Sequence, residues 1–300
     1  MRRSLQLMAL LVGSLVISWH PLASTFRLVF ENGEYTYILL IIPLTLSFIY
    51  ADWGTLRRVS RPNVRWGTAM LCLAGLIAGL ARWRMIWMIS DVQLSIKILG
   101  LVIWWIGSFV LCFGTKASRS LLFPLCFLFW MVPLPSFVLN EIIKYLQHGS
   151  ALVTRLLFTT AGVPVAQNGL VISIPGLSVE VAKECSSIRS SLMLLVTTMV
   201  LAHLLLRSRW RKALVIALAV PLSVVKNGLR IFTIAMLGTR VDPGFLNGNL
   251  HHDGGIIFFA IALCVIFLLL WILRRSEREM TQSAVLRSLN PKGLSMVCDR

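Results

Sequence analysis

An all-α polytopic membrane protein is predicted, with about eight spans, both termini in the cytoplasm, and a small extracytoplasmic β element before the sixth span. Three observations carry this. The 300-residue chain is 57% hydrophobic and 14% charged, where soluble domains are about 45–50% apolar and about 25% charged. Its apolar residues gather into runs near the roughly 20 residues that a helix needs to cross a bilayer. Its basic residues then segregate onto one side of those runs.

The runs are Leu5 to Leu22, Tyr37 to Tyr50, Gly67 to Ala81, Leu94 to Gly114, Leu121 to Leu139, Ile188 to Leu206, Ala213 to Leu237 and Gly255 to Leu273. The second and third are short and are extended at the interface by Trp53 and Trp66. Arg2 and Arg3, the arginines at 57, 58, 61 and 65, Lys116 and Arg119, the group Arg207, Arg209, Arg211 and Lys212, and Arg274, Arg275 and Arg278 all fall on one side. The other side holds Arg27, Arg82, Arg84, Lys97, Lys144, Arg155, Lys183 and Arg240, three of them in one long segment. Basic residues stay cytoplasmic, which gives the N-in, C-in orientation. Met1 to Ser24 has the look of a signal peptide, but an uncleaved first span is preferred, and cleavage would not change the other orientations. Residues 1–275 thus read as one membrane domain and 276–300 as a polar cytoplasmic tail. The net charge of +17 follows from topology and points to anionic lipid headgroups as its contact, not to nucleic acid.

The longest outer segment is Asn140 to Glu184. Glu141 to Phe158 carries apolar residues at helical spacing but also Lys144, Gln147, His148 and Arg155, and reads as an interfacial or bundle-packed amphipathic helix. Val163 to Val165, Leu170 to Ile174 and Leu177 to Val181 are β-type runs punctuated by Asn168-Gly169 and Pro175-Gly176, which predicts one or two hairpins.

That element leads into Glu184-Cys185-Ser186-Ser187-Ile188-Arg189. Of six cysteines, Cys72, Cys112, Cys126 and Cys264 lie in spans and Cys298 in the tail. Cys185 alone faces outward, with no intramolecular disulfide partner. It is either an inert cysteine at a helix start or a nucleophile, since a helix N-terminus and a nearby cation such as Arg189 both lower a thiol pKa. Asn227 and Arg230 share a face of the seventh span, Pro221 can kink that span, and Gly228 allows close packing. Charged residues inside spans are costly and mark function by default. Arg230 reads as functional or as a structural ion pair, and Lys226 as a functional, snorkelling or structural cation. His251, His252 and Asp253 open the eighth span; they read as helix-capping residues or as a general acid/base, and without a second ligand cluster no metal and no cofactor are expected. Cys185, Arg230 and His251 or His252 share one depth, which is the parts set for thiol-based acyl transfer.

These segments resemble the exosortase/archaeosortase family. The resemblance runs from about Leu94 to Phe267 and rests on several motifs in order: Trp130-Met131-Val132-Pro133-Leu134-Pro135, Gly162-Val163-Pro164-Val165, Cys185-Ser186-Ser187-Ile188-Arg189-Ser190, Asn227 to Arg230, and His251 with Gly255 and Phe259. It implies a membrane-embedded cysteine transpeptidase of a bacterial inner membrane, acting at the periplasmic face on exported proteins whose C-terminus carries a short motif, one span and a basic end. It assigns the nucleophile to Cys185, an essential arginine to Arg230 and the acid/base to His251, with His252 second; Asn227, Arg189 and Glu184 support. Ser187 stands where the family usually has glycine. Two other functions fit parts of the pattern. A hydrolytic intramembrane cysteine protease would use the same residues. A transporter would use Lys226, Arg230 and His251 as a proton or anion path, but no paired interrupted helices are visible.

Overall fold

The computed structural model describes residues 2–54, 61–82, 90–181, 188–242, 244 and 249–289, with the backbone alone at 2, 82, 249–254, 281 and 283–289. The chain divides into two compact units, Met1–Ile142 and Ile143–Arg300.

The first unit opens with α1 (Arg2–Ile17) and α2 (Trp19–Glu31), bent by 71° at Ser18. The sequence predicted one run from Leu5 to Leu22. Pro21 explains the break: it has no N–H for the Ile17 carbonyl, and its ring crowds that carbonyl. A 3₁₀ turn, Gly33–Tyr35, precedes α3 (Ile38–Ala51), so the short second run gains the length to span. Then come α4 (Val64–Arg82) and α5 (Ser90–Ser120). These two pack through glycines. A Cβ on Gly67 would lie 2.6 Å from Leu111 Cα, and one on Gly107 would lie 2.9 Å from Met70 Cβ. Small residues allow such backbone approach where no hydrophobic force drives helices together. At Gly114 α5 kinks with φ +85°, and a Cβ there would fall 1.6 Å from the Arg61 carbonyl oxygen.

The predicted fifth run, Leu121 to Leu139, is not one helix. α6 (Leu122–Phe127) passes into a 3₁₀ turn, Leu128–Met131, and the chain then turns by 98° into α7 (Ser136–Thr160). Pro133 and Pro135 lie in the break, where neither has an N–H to continue a helix. The freed backbone groups are met from elsewhere. Ser95 Oγ donates to the Pro133 carbonyl at 2.7 Å, and Tyr35 OH donates to that of Leu134 at 2.8 Å. Asp91 Oδ2 accepts the Ser136 N–H at 2.8 Å. The Trp130 to Pro135 motif is thus a built helix break.

The second unit holds most of α7, a three-stranded antiparallel sheet, and three long helices. The strands are β1 (Ala166–Asn168), β2 (Val171–Ile174) and β3 (Leu177–Glu180), in that spatial order. Gly169 (φ +61°) and Gly176 (φ +84°) sit in the two tight turns, as the Asn-Gly and Pro-Gly pairs predicted. The first strand lies later than the expected Val163 to Val165. Those valines instead pack with Phe158, Ile172, Ile174, Val181, Ile231 and Ala235 in the core joining the sheet to α7 and the seventh apolar run.

That run is α9 (Arg209–Arg240), between α8 (Ile188–Leu205) and α10 (Asn249–Leu289). The three pack around Leu194, Ala202, Val215, Ala219, Ala262 and Ile266. α10 continues through the polar residues after Arg275, with Arg275 and Glu279 paired at 3.1 Å one turn apart. Among the described residues six helices are long and apolar enough to cross a membrane, and up to eight if each bent pair is one broken span.

Helix α9 meets α7 at Gly228, where a Cβ would lie 2.6 Å from Val153 Cγ1 and 3.2 Å from the Ser150 carbonyl oxygen. Gly228→Val is therefore expected to destabilise this contact by about 1–3 kcal/mol. A lower melting temperature of the purified protein checks it, and an unchanged one contradicts it.

Candidate active site

Buried polar residues gather where α7, α8 and α9 meet. On α9, Lys226, Asn227 and Arg230 are 5%, 1% and 9% exposed. On α7, Gln147, Ser150 and Thr154 are buried, as is Ser191 in the first turn of α8. Groups this polar are costly inside an apolar helix bundle unless they bond to one another. Most of them do. Lys226 Nζ donates to Ser190 Oγ, tying α9 to the start of α8. Asn227 Nδ2 donates to Ser150 Oγ at 3.0 Å. Thr154 Oγ1 bonds to the Ser150 carbonyl at 2.7 Å and lies 3.2 Å from that of Gly228. Two buried acceptors, Asn227 Oδ1 and Ser191 Oγ, have no partner among the described residues.

The sequence expected Lys226 to be functional, snorkelling or structural. Its ammonium does not snorkel; it is buried against Ser190. Lys226 and Arg230 are four residues apart and share a helical face, so their backbone positions are about 6 Å apart along the helix axis. Helix α9 extends to Arg240, which puts Arg230 about 15 Å of helical rise from its end, deeper than a helix ending at Leu237 would give. A cationic, water-poor ridge of this kind can stabilise negative charge developing on a substrate carbonyl.

Residues 184–187, with Glu184 and Cys185, lie outside the described residues. Both ends of the segment that carries them are fixed. The Val181 N–H donates to the Leu170 carbonyl at 3.0 Å, and Gln147 Nε2 donates to the Val181 carbonyl at 2.7 Å. On the far side Ser190, one turn into α8, holds Lys226. The described residues on either side of 182–187 are thus held by two buried side chains, Gln147 on α7 and Lys226 on α9. Arg189 is exposed at the second residue of α8. His251 and His252 fall in the first turn of α10, whose backbone alone is described there.

Gln147, Ser150 and Thr154 were not singled out from the sequence. The signal was present: spacings of three and four residues put all three on one helix face. The polar residues of Glu141 to Phe158 suggested an interfacial or bundle-packed helix without naming which of them pack inward.

A family model described as transmembrane exosortase matches residues 29–268. The chain belongs to this family. The match is wider than the motif resemblance from Leu94 to Phe267; it takes in α3 and α4 and every residue of the polar ridge. No curated protein and no solved structure matches the chain. In this exosortase the Trp130 to Pro135 stretch serves the fold by breaking a helix, whereas Asn227 to Arg230 serves the buried ridge.

Proposed function

We propose that this exosortase is a cysteine transpeptidase working at the outer face of a bacterial inner membrane, with both its own termini inside. Its substrates are exported proteins that end in a short motif, one span and a basic tail. The span docks among the helices, and the basic tail stays cytoplasmic. Cys185, as thiolate, attacks the scissile carbonyl and forms a C–S bond. The carbonyl oxygen takes up the negative charge beside the Arg230 guanidinium, with Asn227 as a second donor. Collapse of this intermediate breaks the C–N bond, and His251, or His252 in its place, protonates the leaving amine. The resulting thioester is opened by a second nucleophile, which forms the new bond to the acyl carbon and returns the thiolate. Glu184 and Arg189 flank the nucleophile.

The observation that carries this reading is that Ser190, just after the 182–187 segment, is held by Lys226 on the helix that also buries Asn227 and Arg230, while Val181, just before it, is held by the buried Gln147 of α7. A transpeptidase needs a nucleophile-bearing loop held beside buried cations. Ser187 stands where the family usually has glycine, and its side chain is expected to narrow the choice of recognition motif.

The mass of the processed substrate's new C-terminus separates transfer from hydrolysis. A C-terminus extended by the acceptor is expected. A free carboxylate on all product would identify a protease that uses water.

A further inference from the structure

The loop joining α8 to α9 and the polar end of α10 enclose a cavity of about 380 Å³, lined by Leu204, Leu206, Arg207, Arg274, Glu277 and Arg278 among others. Its one carboxylate is already engaged. Glu277 accepts the Arg207 N–H at 2.9 Å and the Ser208 N–H at 3.0 Å, which fixes the turn into α9. Arg211 is engaged as well, donating to the Leu273 carbonyl at 2.7 Å and to Ser276 Oγ at 3.3 Å. The guanidinium groups of Arg207, Arg274 and Arg278 make no hydrogen bond or ion pair among the described residues. The cavity thus presents three cations and one carboxylate that is already engaged by backbone N–H groups.

We infer that this cavity binds the phosphate of an anionic phospholipid. The charge balance favours an anion, and the walls favour one attached to an acyl chain. Leu204 lines the cavity and is 61% exposed, so an apolar surface continues out of it. Trp271 lies three and seven residues before Arg274 and Arg278, on their face of α10, and is 54% exposed. An exposed tryptophan at the end of a span sits at headgroup level, which sets the two arginines at the depth of lipid phosphates. Arginine binds phosphate with a planar fork of donors. A zwitterionic lipid would bring an ammonium against the same three cations. This site is remote in the chain from the 182–187 segment, and its occupancy is read without activity.

Native mass spectrometry of the full chain, with phosphatidylglycerol, phosphatidylcholine or inorganic phosphate added, tests the inference. The wild-type protein is expected to retain phosphatidylglycerol in preference to phosphatidylcholine. Each arginine removed should weaken phosphatidylglycerol binding about fivefold, so Arg207→Gln, Arg274→Gln and Arg278→Gln together should weaken it on the order of a hundredfold. Arg65→Gln with Lys116→Gln and Arg119→Gln removes equal charge elsewhere and should leave binding unchanged. If the triple variant does not fold, Arg278→Gln alone carries the test, since its side chain is exposed. Equal lipid binding by the cavity variant and the wild type would overturn the inference. So would displacement of the lipid by millimolar inorganic phosphate, which would identify a site for a soluble anion.

Discussion

Cys185→Ala is expected to abolish substrate processing, lowering turnover by at least about a thousandfold. Without the thiolate there is no acyl-enzyme, and the buried cations cannot replace a bond-forming group. Cys185→Ser should be nearly as inactive, because an alkoxide is far harder to form at neutral pH than a thiolate. The protein should still insert and purify as the wild type does, since the core contacts of α8 are made by Leu194 and Ala202, well along the helix. The ratio of mature to precursor substrate in membranes reads the effect directly. Wild-type processing by Cys185→Ala would sink the proposed chemistry, and an undiminished transport activity in Cys185→Ser would favour a transporter.

Arg230→Lys comes next in expected size. It keeps the charge but replaces the planar fork by a point donor on a shorter reach. If Arg230 steadies the oxyanion, kcat should fall by roughly 10²–10³-fold with little change in KM, because the lost interaction is made only in the transition state. A purely structural cation would instead respond through stability. Lys226 already supplies an ammonium one turn away, so Arg230→Lys tests geometry more than charge. Initial rates at saturating and limiting substrate separate the two outcomes; an unchanged kcat contradicts the oxyanion role.

The elements legible in the sequence were those set by local chemistry. The turns at Asn168-Gly169 and Pro175-Gly176 appear where their φ requirements put them, at Gly169 and Gly176. Gly228 was legible as a packing glycine, and Asn227 and Arg230 as sharing a face. The bends at Ser18 and after Met131 were less so. Hydropathy counts apolar side chains and is blind to a missing N–H, so Pro21, Pro133 and Pro135 passed as ordinary members of their runs. The polar face of α7 was legible only in part, since an interfacial and a bundle-packed helix both fitted, and the structure gives the packed one. Ser150 and Thr154 look interfacial until a partner helix is known to offer Asn227 and Gly228 opposite them, and Gln147 until it is known to reach the Val181 carbonyl. Such pairing over some 77 residues of sequence is tertiary information, and an apolar stripe alone does not carry it. The reach of Arg230 was likewise set by where α9 ends, at Arg240, an end that hydropathy placed at Leu237 although Pro243-Gly244 follow it closely.

The central claim is that Cys185 carries the substrate as a thioester. Intact-mass analysis of the full-length protein, quenched in acid during turnover of a substrate with the motif–span–basic ending, tests it most directly. An adduct equal to the acyl part of the substrate is expected, mapping to Cys185, removed by hydroxylamine and absent from Cys185→Ala. Turnover with no adduct at Cys185, or with the adduct on another residue, would contradict it.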